Sequence, residues 1–418
     1  MTLKKLYFKG SGGNRLSALL DLPADSCPEA FALFAHCFTC TKNLKSANYI
    51  SRALTRERVA VLRFDFTGLG ESEGDFADTN FSTNIADLVA AANFLKTDYE
   101  APKILIGHSL GGAAVLKAAG QISSSKAVAV IGAPADTVHL MRHFEKHRET
   151  IAKDGEAEIA IEGRPFRIKK QFLDDLGATK MEEAVRNLRK ALLVFHSPMD
   201  NTVGIDNAAQ LFQYARHPKS FISLDQADHL LMNASDARYV GAMIASWVRK
   251  YLDLEQPESS KEDDAGSRVV AQIGKTGFRT EVMANGHSLV ADEPVSVGGT
   301  NMGPTPYDYL VAGLGACTAM TLRMYADRKQ WPLKEVVVSL SHKKIHAKDC
   351  EMCETNQPMV DWIERELELI GPLDASQSKR LMEIADRCPV HRTLESKVKI
   401  KTTLKKVEET NQNETKIM

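Results

Sequence analysis

Long apolar runs are missing from this 418-residue chain. No stretch approaches the ~18 consecutive apolar residues that suggest a membrane span, so no membrane partner is expected. The N-terminus, Met1 to Lys9, lacks the apolar h-region of a secretory signal. Net charge is nearly absent as well: 53 basic against 54 acidic side chains leave −1. Without a basic excess there is no electrostatic case for a nucleic-acid partner or an anionic surface. Seven cysteines is an odd, modest count for this length, which argues against a secreted disulfide framework. A cytoplasmic protein with reduced thiols is the expectation. Internal repeats are absent too.

What is present is ordinary globular material, 44% hydrophobic and 26% charged. The length exceeds one compact core, so two or three domains are expected. Over residues 1–252, strand-like runs near 3–9, 16–21, 31–36, 59–65, 103–107, 127–132, 191–196 and 219–224 alternate with helical runs. The helices fall near 43–57, 80–98, 109–120, 206–216 and 236–251. Such alternation predicts a doubly wound α/β fold, a mostly parallel sheet covered on both faces, with the first two strands as an edge hairpin. The rhythm breaks between 134 and 188, where a small cap containing a hairpin near 159–168 is expected. The segment 253–267 is charged, contains Pro and Ser, and reads as a linker. A second, α+β domain is expected over 268–406, with a tail over 407–418. Its strands fall near 268–273, 278–283, 335–346, 362–370 and 396–405. Its helices run over 306–329, opened by Thr305-Pro306, and 374–387.

The first chemistry sits in Gly107-His108-Ser109-Leu110-Gly111, between the buried run Lys103 to Ile106 and the helix-like Gly112 to Ala119. Strand, Gly-x-Ser-x-Gly turn and helix resemble the nucleophile elbow of the α/β-hydrolases. A serine hydroxyl is a poor nucleophile until a histidine takes its proton and an acid orients that histidine. In this fold the chain order is serine, acid, histidine. Asp200 follows the buried run Leu192 to His196, and His229, in Ala227-Asp228-His229, follows the last strand. Asp206, Asp225 and Asp228 are the alternative acids. His108 is read as a packed neighbour of the nucleophile and His196 as structural.

An oxyanion hole needs two N–H groups aimed at the developing charge. Leu110 and Phe38 are the expected donors. Phe38 lies in Ala35-His36-Cys37-Phe38-Thr39-Cys40, where many α/β-hydrolases have His-Gly, so Cys37 is the unusual member. Asp65-Phe66-Thr67-Gly68-Leu69-Gly70-Glu71-Ser72 reads as scaffold. Residues 1–252 thus resemble the α/β-hydrolase superfamily, most closely its small esterases. The resemblance implies acyl transfer from a small-molecule ester to Ser109, then hydrolysis, with no cofactor. A phosphate-cradling or dinucleotide-binding glycine pattern does not occur at the elbow.

The second chemistry involves sulfur. Cys317 ends the small-residue run from Tyr307 through Gly313-Leu314-Gly315-Ala316, and Cys388 stands in Arg387-Cys388-Pro389-Val390. This pair of motifs resembles the OsmC/Ohr family over most of 268–405. The resemblance implies a peroxidatic Cys317 attacking an organic hydroperoxide, a disulfide with Cys388, a dithiol reductant, and an intertwined homodimer. Only the thiolate reacts appreciably, so the family polarises its site with an arginine and a carboxylate. The family's glutamate, ten residues before the first cysteine, is replaced here by Tyr307. Asp308 is adjacent, though one helical residue is ~100° of rotation. Arg279 is the candidate arginine. The alternative is a non-catalytic dimerisation or redox-sensing scaffold. Cys350-x-x-Cys353, preceded by His342 and His346, and Cys37-x-x-Cys40 lie in different domains, which is not compact zinc spacing. For His346, Cys350 and Cys353 the alternatives are a metal site or an auxiliary redox pair, behind the reading as loop thiols near a strand end. No metal site is expected.

Overall fold

A computed structural model describes residues 2–37, 40–136, 144–161, 164–252, 269–346 and 359–404. It divides into two compact units, Met1–Lys275 with Thr280–Val290, and Thr276–Arg279 with Ala291–Met418. The expected linker and tail lie outside the described residues, as do Phe38, Cys350 and Cys353.

The first unit begins with β1 (Thr2–Lys9), β2 (Arg15–Leu22) and β3 (Ala30–Ala35). After them come α1 (Lys45–Arg56), β4 (Val59–Phe64), α2 (Phe81–Asp98), β5 (Ile104–His108) and α3 (Leu110–Ala118). β6 (Ala127–Ile131) precedes an insertion made of α4 (Arg148–Asp154), β7 (Glu156–Ile161), β8 (Arg164–Lys169), α5 (Lys170–Ala178) and α6 (Met181–Arg186). The unit's main sheet then finishes with β9 (Ala191–His196), α7 (Asp206–Tyr214), β10 (Lys219–Ser223) and α8 (Ala234–Val248).

Eight strands form one sheet in the order β1-β2-β4-β3-β5-β6-β9-β10. β1 and β2 pair antiparallel with each other and β2 with β4; every other neighbour is parallel. β3, β4, β5, β6 and β9 are buried at every position, as a parallel sheet covered on both faces requires. One core lies between the sheet and α2, α3 and the insertion, another between the sheet and α1 and α8. The insertion is docked by apolar packing: Ile159, Ile168, Phe172 and Leu176 join the first core, and Phe76 meets the rings of Phe166 and Phe172. Among the described residues no helix is long and apolar enough to cross a membrane.

A three-stranded sheet, β11 (Val269–Ile273), β12 (Thr280–Ala284) and β13 (His287–Ala291), follows. All but its last residue belongs to the first unit, where Glu281 pairs with Arg56 at 3.0 Å. β13 was not anticipated; Asn285-Gly286, with both residues at positive φ, is the hairpin signal that marks it.

The second unit contains α9 (Pro306–Lys329), the antiparallel strands β14 (Glu335–His346) and β15 (Met359–Ile370), α10 (Ala375–Ala385) and α11 (Pro389–Leu394). α9 opens on the expected Thr305-Pro306, with Thr305 and Asp308 forming a reciprocal capping box. A small core gathers Leu322, Ala326, Leu333, Leu381, Ile384 and Ala385. The strand expected over 396–405 is not formed in the described residues: 397–404 has no assigned structure, and Ile400 and Leu404 are exposed. Alternation alone does not make a strand, because its backbone groups need a neighbouring strand to bond.

Candidate active site

β5 ends at His108 and α3 begins at Leu110, leaving one residue to make the turn. Ser109 does so with φ 55° and ψ −125°, a conformation costing about 1–3 kcal/mol that persists only where its surroundings enforce it. The flanking glycines are dictated by space. A Cβ on Gly107 would stand 2.4 Å from the Gly111 carbonyl oxygen, and one on Gly111 2.3 Å from that of His36. The Ser109 N–H donates to the Ile131 carbonyl at 2.8 Å, tying the turn to β6.

Asp200 follows β9 and His229 follows β10, so the carboxyl ends of parallel strands bring three distant residues together. His229 Nε2 lies 3.0 Å from Ser109 Oγ, and its Nδ1 lies 2.7 Å from Asp200 Oδ2. Asp200 Oδ1 accepts the N–H groups of Thr202 and Val203 at 2.9 and 2.8 Å. Burial alone would push the Asp200 carboxyl up, but the hydrogen bond and charge of His229, with those two N–H groups, hold it below its ordinary value. An ionised Asp200 accepts a hydrogen bond from the Nδ1–H of His229, which keeps the proton on Nδ1 and leaves the lone pair of Nε2 toward the serine hydroxyl. The alternative acids do not make this contact. Asp206 opens α7, Asp225 accepts from the Ser223 hydroxyl, and Asp228 accepts the N–H groups of Leu230 and Met232.

Leu110 is the first residue of α3, so its N–H has no partner within the helix and the positive end of the helix faces the elbow. Phe38, the other expected donor, lies outside the described residues. On one side of it, His36 Nδ1 bonds the Cys37 carbonyl at 2.7 Å. Cys37 and Cys40 are joined as a disulfide, which departs from the expectation of reduced thiols throughout. The Cys40 N–H donates to the Cys37 carbonyl at 3.2 Å, and the two Cα atoms stand 5.3 Å apart, within disulfide range.

The turn from Asp65 to Ser72, expected as scaffold, is held by ion pairs and by the Ser72 hydroxyl, which donates to the Asp65 carbonyl at 2.6 Å. Lys42 is buried and pairs with Asp65 and with Glu71. Asp65 also takes the N–H of Lys42 at 2.6 Å, and Arg63, paired with buried Asp21, donates to the Lys42 carbonyl. The segment that follows Cys40 is therefore fixed by buried charges.

Two buried histidines stand under the trio. His108 Nε2 lies 2.6 Å from the His229 carbonyl oxygen, and burial pushes the ring down to about 3. His196 Nε2 lies 2.7 Å from the Val203 carbonyl oxygen, with burial again pushing the ring down. Both are neutral donors. Sequence placed them beside the chemistry but not in these bonds, because a histidine ending a buried strand looks the same whether it packs or donates.

In the second unit Cys317 is half-buried and Cys388 buried, both as free thiols. Cys388 precedes α11 and its sulfur takes the His391 N–H at 3.3 Å. Thr318, next to Cys317, places its hydroxyl 3.6 Å from the same sulfur, and Arg365 on β15 donates to that hydroxyl at 3.1 Å. Arg365 also pairs with Asp386 at 2.6 Å. Sequence analysis missed Arg365, which is hidden within the charged alternation Glu364-Arg365-Glu366. Asp308 is engaged in the helix cap, and its bonds from Thr305 lower its carboxyl. Arg279 is half-buried ahead of β12. Tyr307 stacks on His342 at 4.2 Å, and His342 bonds Asp361 at 2.9 Å. Among the described residues no cluster of three or more His, Cys, Asp or Glu suits a metal ion.

Comparison with known proteins adds independent findings. A model of the alpha/beta hydrolase family matches residues 32–297, and a model of OsmC-like proteins matches residues 299–403. The esterase domain of a Rhodothermus marinus protein, a solved structure, is 54% identical; it covers 60% of this chain and all of its own, with a TM-score of 0.51. The ferulic-acid complex of Est1E from Butyrivibrio proteoclasticus shares 20% identity over 59% of this chain and 99% of its own, with a TM-score of 0.50, a likeness of fold. The mitochondrial palmitoyl-protein thioesterase ABHD10 of Rattus norvegicus is 27% identical over 146 residues, 34% of this chain. The match spans 45% of that relative's length.

Proposed function

The chain belongs to the alpha/beta hydrolase family and carries an OsmC-like domain after it, and on that premise we propose that its first unit is a serine esterase. The observation that carries the proposal is the continuous pair of contacts from Ser109 Oγ to His229 Nε2 at 3.0 Å and from His229 Nδ1 to Asp200 at 2.7 Å. His229 takes the hydroxyl proton as Ser109 attacks the acyl carbon, while Asp200 supports the imidazolium that results. The oxyanion is received by the N–H groups of Leu110 and Phe38. His229 then delivers its proton to the departing alcohol, and water repeats the sequence to release the acid. A thioester passes through the same intermediate, which is relevant because the rat relative is named a thioesterase.

The test is cleavage of p-nitrophenyl esters of graded chain length. Ser109→Ala should abolish turnover while leaving the fold intact by circular dichroism. Turnover retained by a folded Ser109→Ala protein would overturn the triad.

For the second unit we propose a thiol peroxidase that works as a homodimer. Cys317 thiolate would take one oxygen from an organic hydroperoxide, giving the alcohol and a sulfenic acid. The Cys388 thiol would then condense with the sulfenic acid, releasing water and forming a disulfide that a dithiol reopens. The Arg365–Thr318–Cys388 contacts support a polar thiol site. Consumption of hydroperoxide under a dithiol should vanish in Cys317→Ser. Equal consumption by wild type and Cys317→Ser would favour the non-catalytic scaffold.

A further inference from the structure

His108 is the last residue of β5 and touches the base loop rather than the nucleophile's side chain. Its ring is buried, its centroid lies 5.2 Å from that of His229, and its Nε2 stands 2.6 Å from the main-chain carbonyl oxygen of His229. A carbonyl only accepts, so Nε2 carries the proton and donates. Nδ1, the other ring nitrogen, is buried with no partner among the described residues. One nitrogen of this imidazole is therefore in use, and it is used on the residue proposed as the base.

We infer that His108 is a positioning residue: its Nε2–H, donated to the His229 carbonyl, holds the base loop in register with the serine elbow. The inference rests on the reading of His229 as the base. His229 sits on a loop after the last strand of the sheet, so the sheet's own hydrogen bonds do not fix it. His108 is one residue from Ser109, and thus the nucleophile's strand itself holds the main chain of the base.

A neutral ring suits this position. The imidazolium formed on His229 in the transition state would be opposed by a lysine or arginine donor at that distance, whereas burial keeps His108 uncharged. His196 repeats the device under the acid. It ends β9 and donates to the carbonyl of Val203 at 2.7 Å, while the N–H of Val203 reaches Asp200 at 2.8 Å.

The test uses three variants of the full chain. Glutamine places an amide N–H at about the reach of Nε2, asparagine places one at that of Nδ1, and leucine places none. Active sites are first counted by the endpoint of fluorophosphonate labelling, so that misfolded protein drops out. His108→Leu and His108→Asn should then lose about 10- to 100-fold in kcat with little change in KM, because misplacement of the base affects the chemical step. His108→Gln should recover most of that loss. Wild-type kcat in His108→Leu, a glutamine variant no better than asparagine, or a change confined to KM would each overturn the inference. If leucine prevents folding, the glutamine–asparagine pair alone decides. Failure of the triad reading shows separately, as Ser109-independent cleavage in the parent protein.

Discussion

The two units place their chemistry in opposite ways. In the first, Ser109, Asp200 and His229 follow separate strands of one buried sheet and reach hydrogen-bonding distance within a single chain. In the second, Asp308 serves a helix cap, and the polar contacts converge on Cys388 through Thr318 and Arg365. Met320 and Met324 on α9 and Ile400 and Leu404 after α11 are exposed. The first sheet buries both faces of its central strands within one chain, whereas the small second unit leaves apolar side chains of a helix and of the segment after α11 uncovered. The contrast separates the two proposals: the esterase site is assembled from one chain, and the proposed thiol peroxidase is the one that calls for a second copy.

The comparison breaks most sharply if the first site tolerates loss of its acid. Asp200→Asn should lower kcat on the order of 10⁴-fold, because a neutral amide no longer selects the Nδ1–H form of His229; hydroperoxide consumption measured in the same sample should be unchanged.

The next effect concerns the buried frame of the first unit. Asp65→Asn leaves buried Lys42 with only the more exposed Glu71 as its carboxylate, which should cost up to about 3 kcal/mol in denaturant unfolding. Replacing both partners with apolar residues should cost less. An equal cost for single and double replacements would contradict the account of the frame.

A third test is titration of stability. Burial pushes His108 from its ordinary 6.5 down to about 3. The unfolded chain then gains this proton as pH falls past 6.5 while the folded one does not. The stability held above 6.5 should therefore be lost progressively toward about 3, and His108→Gln should flatten that part of the Tm profile. A profile identical to wild type would contradict the neutral buried ring.

The smallest effect should come from the second unit. Thr305→Ala removes the hydroxyl half of the α9 capping box and should cost about 1 kcal/mol, with no change in ester cleavage.

The first unit was easier to read than the second for a physical reason. Its strands are short runs buried on both faces, so composition alone marks them, and the glycines at 107 and 111 record a steric demand that no other residue meets. The chain order of Ser109, Asp200 and His229 was readable because each follows a recognisable strand. The bonds of His108 and His196 were not, since strand-end burial does not reveal which ring nitrogen donates. In the second unit, alternation predicted β14 and β15 well, yet also predicted a strand at 396–405 that is not formed over 397–404, where the described residues offer it no neighbour to bond. Arg365 escaped notice because surface-like charges flank it, although its own side chain turns inward to Thr318.

The placement of His229 near the end of the first sheet has a consequence for the protein's birth. On a ribosome the elbow emerges first, the acid about ninety residues later, and the proposed base only after that, with α8 still to follow. From the emergence of residue 109 until that of residue 229 the nascent polypeptide holds the serine without its proposed base. On the proposed triad, hydrolytic competence arrives close to the moment at which the last strand and its covering helix close over the sheet, so a product that stops short of His229 is catalytically silent.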